Sequence, residues 1–323
     1  MDLLIDAMKF MPNIKSLRLI QDLYEMPRVL RWDSESHAPF QLDRTEVRLE
    51  RQNYPLGPKL GGWDPQRFEW DLLQFLRHQH TLRHFSLILE LDDIGTSDRV
   101  TTKVDSEQWR EACSSLQVLE GRNRTIRLVL PHTQRVKALF WEYDRSYREP
   151  LRSPGDLDTD NVLKEDFFTP GHCEAYRRLE HLVLSRQISL LPVLSTFLSS
   201  LKTLLMTIKV SPLGASDSDS DRWEEEGSFM RAIGGLTELV MLVIIQDCSD
   251  DLKLDYQRIF ATCRKLQRLA IWEGEDGHLS LGPVSMERGR DGVIRRIDWS
   301  FESEETPKMP YVGAGWFNFG TED

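Results

Sequence analysis

The feature that most narrows what this chain can fold into is a short pattern, Leu-x-x-Leu-x-Leu with other apolar residues allowed, that returns along its whole length. It occurs as Ile14, Leu17 and Leu19 in NIKSLRLI, as Leu82, Phe85 and Leu87 in TLRHFSLIL, and in shortened form as Leu116 and Leu119 in SLQVLEG. It continues as Val136, Leu139 and Trp141, then Leu179, Leu182 and Leu184, then Leu201, Leu204 and Met206. Leu236, Leu239 and Met241 follow, then Leu266, Leu269 and Ile271, and finally Ile294, Ile297 and Trp299. One such match means little in a leucine-rich composition, but this many argue for a structural repeat.

The segment YQRIFATCRKLQRLAIWE shows the unit: Ile259, Phe260 and Cys263 fall at helical spacing, and Leu266, Leu269 and Ile271 end in strand alternation. PQRFEWDLLQFLRHQH reads the same way upstream of its strand, with Asp64 as N-cap, Pro65 at the first helical position, and Phe68, Leu72, Phe75 and Leu76 on one face. Each unit is therefore helix, tight turn, short strand. One unit cannot bury its own apolar edge, and stacking buries it between a helix layer and a parallel strand layer. The expected fold class is α/β, a curved solenoid with parallel strands on the concave face and helices outside. Spacing between copies is irregular, about 20 to 45 residues for most. Inserted loops are expected near residues 21–62, 145–169 and 212–227, the first of them hiding a degenerate strand in TEVRLER. The solenoid is expected over 1–300, with 301–323 as a capping tail in which Trp316, Phe317 and Phe319 fold back over the last unit.

The units EACSSLQVLEG and FATCRKLQRLAIW, with Cys113 and Cys263 just ahead of a strand, resemble the cysteine-containing class of leucine-rich repeats. With its irregular periods the chain resembles the leucine-rich-repeat portion of fungal F-box-type proteins, in the ribonuclease-inhibitor-like superfamily. That resemblance implies a horseshoe-shaped repeat domain that holds a protein substrate for a cullin–RING ubiquitin ligase. The F-box that would bind the ligase adaptor is not seen, since the first residues already read as helix and strand of a repeat. The adaptor is thus an expected partner only if a box lies upstream, and the alternative is a stand-alone scaffold or inhibitor with no ubiquitin role.

Composition limits the other function classes. The formal charge is −11, which on average repels nucleic acid and anionic lipid. The basic stretch with Arg122, Arg124, Arg127, Arg135 and Lys137 has no aromatic interleaving and reads as the solvated rim of two consecutive strands. The four cysteines are scattered without a CxxC pair, which suits reduced buried thiols and a cytoplasmic or nuclear location. No apolar run is long enough to span a bilayer. SDSDSDRWEEE, with Ser216, Ser218 and Ser220 each followed by Asp, reads as a solvated acidic insertion, phosphorylation being the alternative.

No nucleophile elbow, phosphate loop or HExxH motif is present, so no enzyme, cofactor or metal is expected. His78 and His80 end a helix while His84 begins a strand, so the three imidazoles are not expected to converge on a metal. Strand alternation instead points to a binding face. If the leucines point inward, Ser16, Arg18, His84, Ser86, Phe140, Glu142, His181, Thr203, Thr207, Glu238, Arg268, Trp272, Arg296 and Asp298 point onto the concave sheet. Of these, Arg18, His84, Phe140, Glu142, Arg268, Trp272, Arg296 and Asp298 are the candidate protein-binding residues. Phe140 and Trp272 are interface anchors if that face is open, and core if a loop covers it.

Overall fold

The structure, a computed structural model, describes residues 13–22, 41–50, 65–89, 106–142, 167–185, 191–208, 227, 229–247, 255–274 and 284–297. The chain divides into two compact units, one of residues 1–136 with 144–175, the other of residues 137–143 with 176–323.

In the first unit four parallel strands follow one another in sequence order: β1 (Ser16–Asp22), β2 (Arg44–Glu50), β3 (His84–Leu89) and β4 (Val118–Gly121). TEVRLER supplies β2, as its alternation suggests. Helix α1 (Pro65–His78) leads into β3 and α2 (Ser106–Ala112) into β4. Leu72, Leu73, Phe75 and Leu76 bury one face of α1, and Arg77 and His78 in its last turn favour the negative end of the helix dipole. Side chains tie the end of α1 to the turn before β2. Gln41 Nε2 donates to His78 O, and the buried Gln79 Oε1 accepts from Leu42 N at 2.8 Å.

After β4 the chain enters α3 (Asn123–Val129) and a 3-10 turn, Leu130–His132. Arg124 and Arg127 of the basic stretch therefore lie on a helix, while Arg122 directly follows β4 and Arg135 and Lys137 precede β5. Ile126, Val129 and Leu130 are buried while Arg127 stays partly exposed, which is helical spacing. The turn into α3 needs Gly121, because a Cβ there would lie 2.6 Å from Thr125 Cβ and 2.9 Å from Leu87 O. Thr125 Oγ1 donates to that same carbonyl at 2.9 Å.

The second unit begins with β5 (Ala138–Trp141) and continues with parallel strands β6 (His181–Ser185), β7 (Thr203–Ile208), β8 (Met241–Asp247) and β9 (Arg268–Gly274). Helix α4 (Pro170–Arg178) precedes β6, α5 (Leu191–Leu194) precedes β7, helical residues 229–234 precede β8, and α6 (Tyr256–Thr262) precedes β9. The Asp255 carboxylate caps α6 by accepting from Arg258 N.

A buried apolar residue stands two positions before each parallel strand from β2 to β9: Leu42, Leu82, Leu116, Val136, Leu179, Leu201, Leu239 and Leu266. In six of these copies the residue between it and the strand, Asp43, Arg83, Lys137, Glu180, Lys202 or Val240, has a carbonyl that accepts two backbone N–H groups at the start of the next strand. Glu180 O, for example, takes Lys202 N and Thr203 N, and Val240 O takes Gln267 N and Arg268 N. This places the β8 copy at Leu239, Leu242 and Ile244, three residues beyond the frame Leu236–Leu239–Met241. Leu236 ends the helical turn, and Met241 is half-exposed on the opposite face.

The last copy departs further. β10 (Val284–Arg288) runs antiparallel to β9, and β11 (Ile294–Ile297) runs antiparallel to β10. Gly292, at φ +79, makes the turn between them. Ile294 and Ile297 thus belong to the returning arm of a hairpin. Arg288 of that hairpin donates from Nη2 to Phe260 O and from Nη1 to Arg264 O, and its guanidinium lies 5.2 Å over the Phe260 ring. It satisfies one carbonyl in the last turn of α6 and one just beyond its end. Residues 301–323, where a capping tail was expected, lie outside the described residues.

Candidate interaction face

Each strand presents one side to the helices and one side away from them. In the second unit the helix side is a double row of apolar residues. Leu139, Leu182, Leu204, Leu242 and Leu269 form one, and Trp141, Leu184, Met206, Ile244 and Ile271 the other, all buried. The far side between them carries Phe140, Val183, Leu205, Val243 and Ala270, and this row is buried too. Phe140 is 5% exposed, so it is core and not an exposed anchor. Strand neighbours about 4.8 Å away on either side press against each of these side chains, and an apolar face gains by closing against water. Parallel strands covered on both faces read as continuous apolar runs. LLM in β7 and MLVII in β8 are such runs, and that signal was available in the sequence.

The first unit differs. SLRL in β1 and TEVRL in β2 alternate, and the far side of the sheet is charged. Arg18, 65% exposed at its side chain, places Nε 3.0 Å from Glu46 Oε1, and Arg44 Nη2 lies 3.8 Å from Glu46 Oε2. Further along, His84 Nε2 lies 3.9 Å from Glu120 Oε2, the two side chains 12% and 4% exposed. Ser86, expected on an open surface, is fully buried between them. A serine is shorter than the Glu46, His84, Glu120 and Ile88 side chains that surround it on the same face, and they close it off from water. Arg44, Glu46 and Glu120 were not among the expected binding residues. The polar–apolar alternation of RTEVRLE is the signal that marks the first two.

Other expected residues are distributed as follows. Arg268 is exposed and its Nε lies 3.5 Å from Glu287 Oε1 on β10. Glu142 is half-exposed just beyond β5. Arg296 is exposed but shares the helix side of the sheet, because it pairs with Met286, which pairs with Leu269. The hairpin reverses chain direction there, so counting from a parallel repeat places Arg296 on the wrong side. The side chain of Trp272 and all of Asp298 lie outside the described residues, as does the acidic serine segment.

Three electrostatic features lie away from this face. At the start of the second unit's strands Glu180 bridges Lys137 Nζ at 2.8 Å and Lys202 Nζ at 2.5 Å, and those hydrogen bonds hold its carboxyl down at about 2. In the helix layer of the first unit Glu69 is 1% exposed. Burial pushes its carboxyl up to about 7 despite Arg124, at 4.0 Å, and Arg127. Nearby, His172 is buried with Nδ1 2.8 Å from Thr169 Oγ1, and burial pushes it down to about 4.

Burial also raises the thiols, Cys263 to about 11 and Cys113 further. Cys263 Sγ donates to Ile233 O at 3.4 Å. Such thiols pack and do not attack. His78 Nδ1 is 2.6 Å from Gln74 O, and His84 faces Glu120. No group of three or more His, Cys, Asp or Glu among the described residues is placed to hold a metal. No helix among them is long and apolar enough to cross a membrane. No protein-family model matches the chain, and no curated protein matches it.

Proposed function

We propose that this chain is a leucine-rich-repeat protein that recognises a partner protein, and that the charged sheet face of its first unit does the recognising. The buried apolar residue two places before each of β2 to β9, and the doubly accepting carbonyl that follows it in six of them, support the repeat reading. The observation that carries the functional reading is the contrast between faces. The central far-side row of the second unit, Phe140 to Ala270, is apolar and closed, while the matching row of the first unit is charged, with Arg18 and its neighbour Arg44 reaching solvent beside Glu46 at the β1 end. Charged groups held in register on strands give a partner fixed points of electrostatic complementarity.

The test is affinity capture with the wild-type chain and with Arg18→Glu plus Arg44→Glu, followed by mass spectrometry. A folded double variant that loses a partner supports the reading, and an unchanged captured set refutes it. The F-box-type resemblance extends it to substrate capture for a cullin–RING ligase. Reconstitution of the chain with the purified ligase adaptor tests that extension, and absence of binding leaves the scaffold role.

A further inference from the structure

The far side of the first unit carries one row whose charge pattern is incomplete. By register it runs Arg18 on β1, Glu46 on β2, Ser86 on β3 and Glu120 on β4. The sequence of charges is positive, negative, neutral, negative. Arg18 and Arg44 both serve Glu46, while no described Lys or Arg pairs with Glu120, whose nearest ring nitrogen is His84 Nε2 at 3.9 Å. Between the two carboxylates sits a hydroxyl with no surface exposure, and neither Ser86 Oγ nor His84 Nε2 makes a hydrogen bond. Buried polar atoms are nearly always paired, so two on one small patch mark a place where a ligand's donors belong. Strand spacing of about 4.8 Å sets the Glu46 and Glu120 backbones roughly 10 Å apart across Ser86, room for a planar guanidinium or an ammonium once the carboxylates swing aside.

We propose that the Glu46–Ser86–Glu120 row is a slot for a basic side chain, arginine or lysine, presented by a protein partner. Glu120 supplies the opposing charge, and Ser86 Oγ and His84 Nε2 accept the hydrogen bonds. The slot rests on the protein-recognition reading above and adds the chemistry of what is recognised.

The test titrates the full chain with the peptide acetyl-Gly-Gly-Arg-Gly-Gly-amide, its lysine counterpart, and its citrulline counterpart, which keeps the shape of arginine without the charge. Binding is read from backbone amide shifts on β3 and β4. The arginine or lysine peptide is expected to bind about tenfold more tightly than the citrulline peptide, and Glu120→Gln is expected to erase that difference. Equal binding of citrulline, full retention of the difference in Glu120→Gln, or no binding of either basic peptide up to about 10 mM overturns the slot. Should Glu120→Gln lower the melting temperature, Ser86→Val fills the floor without altering a charge and gives the same readout. If Arg18→Glu plus Arg44→Glu loses its partner while the slot variants do not, recognition stands and the slot alone fails.

Discussion

Glu69 offers a quantitative check on the helix layer of the first unit. Its carboxyl is 1% exposed, Oε2 makes no hydrogen bond, and the nearest guanidinium, that of Arg124, is 4.0 Å away. Burial outweighs the attraction of Arg124 and Arg127 and lifts the group from an ordinary 4.5 to about 7. The folded state therefore holds this proton longer than the unfolded chain does. The stability that follows is fully present below pH 4.5 and drains away as pH rises through 7. Between pH 5 and pH 8 the loss works out at about 2.5 kcal/mol.

Glu69→Gln keeps the shape of the protonated acid and cannot ionise. Its stability relative to wild type should grow by about 2.5 kcal/mol over that interval. His172, pushed down to about 4, works in the opposite direction, adding stability as pH rises from 4 towards 6.5, but it does so in both proteins and cancels in the difference. Urea titrations at pH 5, 6, 7 and 8, followed by tryptophan fluorescence, measure it directly. A difference flat to within about 0.5 kcal/mol would mean that Glu69 is ionised throughout and that its burial is less costly than argued. A difference growing in favour of wild type would mean that the ion pair with Arg124 outweighs desolvation.

Three further outcomes are expected. Glu180→Gln should cost about 1–2 kcal/mol at pH 7, less than the full depression implies because the group is partly exposed. Since its carboxyl is held at about 2, that cost should persist above pH 4.5 and fade as pH falls towards 2, as acid unfolding curves of the two proteins would show. Arg288→Met removes two hydrogen bonds to carbonyls at the end of α6 and a stacked cation, and should destabilise by about 2 kcal/mol in urea titrations. Phe140→Ala should behave as a core lesion of about 3–5 kcal/mol in the same assay, and a cost under about 1 kcal/mol would return Phe140 to the surface.

The sequence by itself determined the helix–turn–strand unit. Where leucines recur ahead of a strand, as at Leu179, Leu182 and Leu184 or Leu266, Leu269 and Ile271, local periodicity and the need to bury an apolar edge fix both the element and its inward face. It also carried the alternation that makes the far side of β1 and β2 polar, and so put Arg18 on that side. Alternation says which side of a strand a residue takes, however, and nothing about whether that side meets water.

Whether Phe140 and Ser86 lie open or closed was decided by neighbours in the sheet that are distant in sequence, Val183 beside Phe140, and Glu46 and Glu120 beside Ser86. Only the fold pairs them. The same holds at the end of the second unit, where the hairpin reverses the chain and carries Arg296 to the helix side. It holds as well in the first unit's helix layer, where α3 brings Arg124 to a glutamate more than fifty residues earlier in the chain. Side preference is a short-range property of the backbone, whereas closure and charge pairing are sums over neighbours supplied by other strands and helices.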